Sequence, residues 1–212
     1  MTRDVQDFSQ QVIFMKQKLE ELARKAKLTK VPELCVSKNE RLANVNVFQR
    51  RISVGENLLS LWRQGKFSDG DIEATLAHEV GHLMDFRRDS RSSNFRNLLI
   101  ESLWFSFGVI PLILYLLFPN LTILAVSGFI AVGWGFSLPL IVRRVEVRIE
   151  FEADKNAALY LVAPQQLADA LVKISSFSRH VKTLGLSGKL AFLSGTLTHP
   201  PFSERVRYLK NL

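Results

Sequence analysis

Two long apolar stretches dominate the hydrophobic pattern of this sequence. Residues 98–118 contain a single charged residue, Glu101, and residues 121–142 contain none. At a rise of about 1.5 Å per residue, a helix of either length crosses a hydrocarbon core of about 30 Å. Only Pro119 and Asn120 separate the two stretches. The pattern predicts a transmembrane helical hairpin, with a buried hairpin of a soluble helical protein as the alternative.

Arginines flank the hairpin at both ends and predict its orientation. Because basic residues next to membrane spans stay in the cytoplasm, both ends of the hairpin are expected there. Glu101 either lies at the interface where the first span begins or is an intramembrane carboxylate that faces the protein interior. No N-terminal signal peptide is visible, so membrane insertion is expected to depend on the hairpin. The flanking residues are Arg87, Arg88, Arg91 and Arg96 before it and Arg143, Arg144 and Arg148 after it.

Shorter periodic segments predict the elements around the hairpin. Apolar residues at helical spacing within residues 1–30 indicate an amphipathic helix with a basic polar face. Residues 43–48 and 51–55 are predicted to form two short strands joined through Gln49 and Arg50. Three further helices are expected over residues 144–162, 164–177 and 203–212.

One more helix is predicted between Ser68 and Met84. Ser68 is a capping residue at its start, and acidic residues follow in the first turn. Gly81 costs this helix about 1 kcal/mol relative to alanine, so a glycine here suggests that another element approaches closely. The apolar positions at helical spacing are Ile72, Leu76, Val80, Leu83 and Met84.

Composition and charge exclude several function classes. The chain has 212 residues, of which 47% are hydrophobic, and a formal net charge of +8. The arginine clusters lie at the ends of the apolar stretches, where membrane topology accounts for them, and no basic-aromatic recognition module is present. We therefore expect no nucleic-acid partner. The single cysteine, Cys35, excludes an intramolecular disulfide and fits a reducing compartment.

The candidate chemistry lies in the segment His78-Glu79-Val80-Gly81-His82 of the helix after Ser68. Positions i and i+4 of a helix share a face, so the two imidazoles can bind one metal ion. Glu79 then lies beside the metal, where it can accept a proton from a water. The alternative is a helix that carries two packed histidines and a solvated glutamate.

A catalytic zinc ion needs a third protein ligand, and the helix after the hairpin offers several. Glu146, Glu150 and Asp154 follow one another at four-residue spacing and share a face. Spacing alone does not choose among Glu146, Glu150 and Glu152 as the ligand. Asp154 is a candidate for a hydrogen bond to a ligand histidine that would fix its tautomer. The alternative is a solvated acidic face that pairs with arginines.

Three segments, taken in order, resemble the signatures of the M48 family of zinc metalloproteases, which includes HtpX-like membrane proteases and the CaaX prenyl proteases. They span residues 78–82, 150–154 and 198–205. The inserted hairpin is similar to the HtpX-like arrangement. The resemblance implies a mainly α (α+β) fold, in which a helical zincin-type catalytic domain has a small β-sheet edge and an inserted transmembrane helical hairpin.

The resemblance also implies how the metal is held. His78, His82 and Glu150 match the ligands of one zinc ion (Zn²⁺) per chain, and Glu79 matches the general base. Asp154 matches the acid that hydrogen-bonds a ligand histidine.

Further residues match positions that would meet the substrate. His199 and Arg205 correspond to positions near the substrate carbonyl, where they would stabilise the developing oxyanion. The strand containing Ile52, Ser53 and Val54 corresponds to a sheet edge that can hold an extended peptide by main-chain hydrogen bonds.

Together these expectations describe a membrane-anchored zinc metalloendopeptidase that hydrolyses membrane or misfolded proteins. Residues 1–97 and 143–212 would form the two parts of its catalytic domain on the cytoplasmic side, and residues 98–142 the hairpin in the lipid bilayer. Its expected partners are a polypeptide substrate and the bilayer, and no oligomeric state is predicted. The alternatives are a narrow-specificity processing peptidase resembling the CaaX prenyl proteases and a zinc-binding membrane scaffold without catalysis.

Overall fold

The structure, a computed structural model, describes residues 8–38, 40, 42–84, 121–180 and 200–212, and the single positions 98, 113, 116 and 117. These ranges contain helices and one small sheet, so the predicted mainly α class is confirmed. The helices are α1 (Ser9–Lys25), α2 (Glu56–Arg63), α3 (Asp69–Met84), α4 (Leu121–Tyr160), α5 (Pro164–His180) and α6 (Phe202–Leu209). The strands are β1 (Glu33–Ser37), β2 (Ala43–Asn46) and β3 (Arg51–Gly55).

The predicted hairpin falls largely outside this description. Its first span, residues 98–118, lies almost entirely outside the described residues. Its second span, residues 121–142, is the N-terminal part of α4. In the part of the chain that the structure describes, no helix combines the length and the apolar character needed to cross a membrane. The hairpin and the three-part division of the chain stay predictions from the sequence.

The sheet has the strand order β1–β3–β2. β1 runs parallel to β3, with Cys35 opposite Ser53, and β2 runs antiparallel to it, with Val45 opposite Ile52. A pair of short consecutive strands alone is only marginally stable in water. The parallel pairing with β1 supplies the third strand.

The position of β3 in the sheet differs from the prediction. The two predicted strands are confirmed as β2 and β3, but β1 was not predicted. Because β3 is hydrogen-bonded on both sides, the prediction that Ile52, Ser53 and Val54 lie on an edge strand is wrong. Ile52 and Val54 are fully buried in the core instead.

Helix α3 lies at the centre of the core, in contact with α1, α4, α5 and β2. The apolar stripe predicted from its sequence is buried, because these neighbours cover it from several sides. Ile72, Leu76, Val80 and Leu83 are buried, and the fifth residue of the predicted stripe, Met84, is partly buried. They pack among Met15, Leu19, Leu22, Ala157, Leu167 and Leu171. A helix enclosed in this way holds its polar side chains in fixed positions.

The N-terminus of α3 is closed by Ser68 and Asp71, which confirms the predicted cap. The backbone N–H and the hydroxyl of Ser68 donate to Asp71 Oδ2 at 2.7 Å each, and the backbone N–H of Asp71 donates to Ser68 Oγ at 3.3 Å. Lys173 of α5 donates to the same Oδ2 at 2.5 Å. Burial disfavours the ionised carboxylate, but the hydrogen bonds from Lys173 and Ser68 hold the pKa of Asp71 below its usual value.

Helix α6 follows Pro200 and Pro201 and packs against α4 and α5. Tyr208 meets Phe151 of α4 edge-to-face, with ring centroids 5.1 Å apart. Leu209 is buried in the main core. These contacts fix α6 beside the C-terminal part of α4, next to the residues described below.

Candidate metal centre

Helix α3 presents both histidines and Glu79 towards the interior. The ring centroids of His78 and His82 lie 4.8 Å apart, one helical turn along the same face. Their side chains are 13% and 11% exposed, and Glu79 is buried. The sequence-based alternative of a solvated glutamate is therefore wrong.

Gly81 allows α4 to cross α3 at very short range. A Cβ atom added at Gly81 would collide with the carbonyl oxygen of Ala153 and lie 3.1 Å from its carbonyl carbon. The side-chain amide of Asn156 donates to the carbonyl of Gly81 at 3.3 Å. The close approach suggested by the glycine is thus the backbone of α4.

This crossing brings Glu150 to the two histidines. Glu150 Oε2 lies 3.5 Å from His78 Nε2, and Glu150 Oε1 lies 3.6 Å from His82 Nε2. One ligand atom from each of the three residues lies within 4.8 Å of the others. Neither Glu146 nor Glu152 belongs to this group, so the geometry decides among the three glutamates that spacing left open.

The three residues fit a zinc ion in both chemistry and spacing. Two imidazole nitrogens and a carboxylate oxygen form a common donor set of catalytic zinc sites. Metal–ligand bonds of about 2.0–2.2 Å in tetrahedral geometry place neighbouring ligand atoms about 3.4 Å apart. The contacts of 3.5 and 3.6 Å are close to that value, although each uses a different oxygen of Glu150, and with one ligand atom per residue the three lie within 4.8 Å of one another.

Asp154 lies behind His78, one turn of α4 beyond Glu150. Its Oδ1 is 2.9 Å from His78 Nδ1, and its side chain is completely buried. A proton on Nδ1 satisfies this contact and leaves the lone pair of Nε2 directed towards Glu150 and His82. Burial disfavours the charge of Asp154, yet Arg205 and His78 hold its pKa below the usual value.

Arg205 of α6 reaches the same carboxylates. Its Nε and Nη2 donate to the two oxygens of Asp154 at 2.7 and 2.6 Å, and its Nη1 lies 3.0 Å from Glu150 Oε2. Only 5% of its side chain is exposed. The structure therefore directs this guanidinium at acidic side chains of α4.

The electrostatics of the cluster favour a cation between these side chains. Burial and Arg205 oppose protonation of His78, but its hydrogen bonds with Asp154 and Glu150 raise its pKa to about 10. Burial also raises the pKa of Glu79, against the effect of the two histidines. Without a metal ion, protons supply part of the positive charge that the carboxylates require.

Sequence reasoning and structure overlap only partly at this site. His78, Glu79, His82, Glu150 and Asp154 are brought together as their motifs suggested. His199, the predicted oxyanion partner, lies outside the described residues. The contribution of Asn156 was not predicted, because an amide that bonds a carbonyl 75 residues away leaves no local pattern.

Comparison with known proteins adds a family match. The model of peptidase family M48 matches residues 10–212. A protease HtpX homolog of Thermoanaerobacter pseudethanolicus is 25% identical over 174 residues, which cover 67% of this chain and 53% of that protein. The chain thus spans about half the length of this curated relative. No solved structure matches it.

Proposed function

The chain belongs to peptidase family M48, and from this membership and the geometry of the site we propose that it is a membrane-anchored zinc endopeptidase. The observation that carries the proposal is the group of His78, His82 and Glu150, whose ligand atoms lie within 4.8 Å of one another and could hold one metal ion. A buried carboxylate, Glu79, lies on the same helix next to the first of these ligands. A site that only stored zinc would not require that fourth side chain.

Each residue of the site has a distinct task in this proposal. A zinc ion, when bound, would make a water acidic enough to attack and polarise the scissile carbonyl. Glu79 would accept the proton of the attacking water and later deliver it to the leaving amine. Asp154 would keep the Nδ1 proton of His78 in place. His199 is proposed to hydrogen-bond the developing oxyanion.

The substrate strand is proposed to add to β2, in place of the edge first assigned to β3. β2 lies against α3, and among the described residues none pairs with its outer side. The N–H of Gly55 donates to the carbonyl of Leu42 at 2.6 Å, so these two residues form a hydrogen-bonded pair of the antiparallel ladder. Hydrogen-bonded and non-hydrogen-bonded pairs alternate along such a ladder. The main-chain groups of Ala43 and Val45 then point outwards, where an extended peptide can pair with them.

Membrane anchoring is proposed from the sequence. The apolar residues 98–118 and 121–142 have the length of two spans, and arginines follow the positive-inside pattern at both ends. The site would then lie at the cytoplasmic face, where it can act on membrane or misfolded proteins. The relative whose name contains HtpX is a protease by that name, and its activity is extended to this chain only as part of the proposal.

A substitution of Glu79 tests the proposal. Glu79→Gln preserves size and hydrogen bonding but removes the base, so casein cleavage should fall at least about 100-fold while zinc content stays at one ion per chain. Glu73→Gln is the matched control, because Glu73 lies on the same helix and, among the described residues, forms its ion pair with Lys18 at 3.7 Å, away from the metal-ligand group. Undiminished turnover in Glu79→Gln would contradict the mechanism. A chain that binds zinc but cleaves neither casein nor unfolded membrane protein would support the scaffold alternative.

A further inference from the structure

Each nitrogen of the Arg205 guanidinium has a carboxylate partner inside the protein. Nε and Nη2 form a two-pronged bond with Asp154, and Nη1 lies 3.0 Å from Glu150 Oε2. Nη2 also lies 3.2 Å from Nδ1 of His78. A planar guanidinium has five N–H groups in a fixed arrangement, and three of them, one on each nitrogen, are directed at carboxylates. Each nitrogen of Arg205 is therefore already engaged inside the protein.

Arg205 is also held firmly in this position. Its guanidinium carbon lies 5.9 Å from the ring centroid of Phe202, one turn earlier on α6. The edge-to-face contact of Tyr208 with Phe151 fastens the same helix to α4 one residue after Glu150. Swinging towards a substrate would break two charge-assisted hydrogen bonds inside a buried environment.

We propose that Arg205 is a positioning residue that fixes Glu150 and Asp154 for metal binding, and that it does not contact the substrate oxyanion. This inference rests on the proposed zinc-dependent function. Arg205 contacts one ligand, Glu150, directly. It acts on a second ligand, His78, through Asp154, which both residues contact. The C-terminal helix thereby becomes part of the metal site although it supplies none of the three ligands.

The charge of Arg205 also sets the net charge that the metal meets. The cluster contains three buried carboxylates, Glu79, Glu150 and Asp154, and one guanidinium. With both imidazoles neutral and all three acids ionised, the sum is two negative charges, which a divalent cation neutralises. Without Arg205 the sum is three, and the carboxylates of Glu150 and Asp154 lose the cation that holds them side by side on α4.

The test compares zinc affinity with turnover in the purified full chain, solubilised in detergent. Zinc affinity is measured by competition with a chromogenic chelator after the metal has been stripped, and kcat and KM are measured with casein. Arg205→Ala should bind zinc about 10- to 100-fold more weakly, as is typical when the partner of a metal ligand is removed. Millimolar guanidinium should restore much of that affinity by entering the vacated space. Arg205→Lys keeps the positive charge but cannot donate two parallel hydrogen bonds to Asp154. Its zinc affinity should lie between those of the alanine variant and the wild type.

The controls separate this inference from the proposed function. Arg207→Ala removes an exposed arginine from the same helix and should leave zinc affinity unchanged. Zinc binding by Arg205→Ala or Arg205→Lys at wild-type affinity, with a loss confined to kcat, would overturn the positioning role and favour contact with the reacting carbonyl. If Arg205→Ala does not fold, the lysine variant decides between these outcomes alone. The proposed function is judged on the wild type, which must bind zinc and cleave casein whatever the variants do.

Discussion

Helix α3 carries two charged clusters built on buried carboxylates, and they differ in how their charges balance. At its N-terminus, one carboxylate, Asp71, meets one ammonium group, Lys173, and the hydrogen bonds of Ser68 complete the arrangement. Further along, three carboxylates meet one guanidinium, with two histidines between them. The first cluster is neutral and closed, whereas the second has an excess of negative charge around a group of metal-ligand atoms.

This difference separates a structural cluster from a functional one. Both clusters contain a buried carboxylate whose pKa is lowered, so neither a buried acid nor a shifted pKa distinguishes them. A buried carboxylate is costly unless it is paired, and the second cluster has fewer cations than carboxylates. The missing positive charge identifies where a metal ion would stabilise the protein.

The largest effect should come from removing a ligand in the unbalanced cluster. His82→Ala should lose zinc and abolish casein cleavage, because the remaining two ligands form an incomplete site. Elemental analysis of the purified variant measures the metal directly. Retention of one zinc ion per chain would show that His82 is not a ligand. The contrast drawn between the two clusters of α3 would then be wrong.

A smaller effect is expected from adding a side chain at Gly81, where the two helices cross. Gly81→Ala would drive a methyl group into the backbone of Ala153, so α3 and α4 must separate at a cost of about 1–3 kcal/mol. Zinc affinity and unfolding temperature should fall together, because Glu150 lies one turn from Ala153. Gly70→Ala on the same helix is the control, since its Cβ would lie 3.5 Å from Gln166 Nε2, in ordinary contact. Equal behaviour of the two variants would show that the crossing does not position the ligand.

The smallest effect should come from the balanced cluster. Asp71→Asn should lower the free energy of unfolding by about 1 kcal/mol through loss of the charged hydrogen bond to Lys173, which solvent screens because that lysine is 43% exposed, and it should leave zinc affinity unchanged. Because the folded pKa of Asp71 is depressed, its contribution is fully present above the unfolded value of about 3.9 and disappears as pH falls through the folded value. Denaturant titrations of both proteins between neutral and acidic pH measure the difference. Asp169→Asn, an exposed position on α5, is the control, and a difference that grows on acidification would contradict the assignment.

Local patterns in the sequence were sufficient for the metal-binding helix. The cap at Ser68, the apolar stripe and the i, i+4 histidines depend on residues a few positions apart, and the structure contains all three features. Gly81 indicated a close neighbour, although its identity, Ala153, could not be read from the sequence. Helical period and capping chemistry act over short distances, which makes them readable in advance.

Features that depend on distant parts of the chain were not predictable in the same way. β1 pairs in parallel with β3 across an intervening strand, and this pairing moved Ile52, Ser53 and Val54 from an edge to the centre of the sheet. The choice of Glu150 over its neighbours required the crossing angle of two helices. The environment of Arg205 depends on the packing of α6 against α4, so its sequence motif alone suggested a position near the substrate.

The continuity of α4 has a mechanical consequence. This helix runs unbroken for 40 residues, so residues 121–142 and Glu150 lie on one continuous helix. Glu150 lies eight residues beyond Val142, about 12 Å along the axis, and a tilt of about 1° about that point would displace it by about 0.2 Å. That displacement is comparable to the tolerance of a metal–ligand distance, roughly 0.2 Å. If the N-terminal part of α4 lies in a bilayer as proposed, a change in membrane thickness that tilts the helix would also change the coordination of the metal.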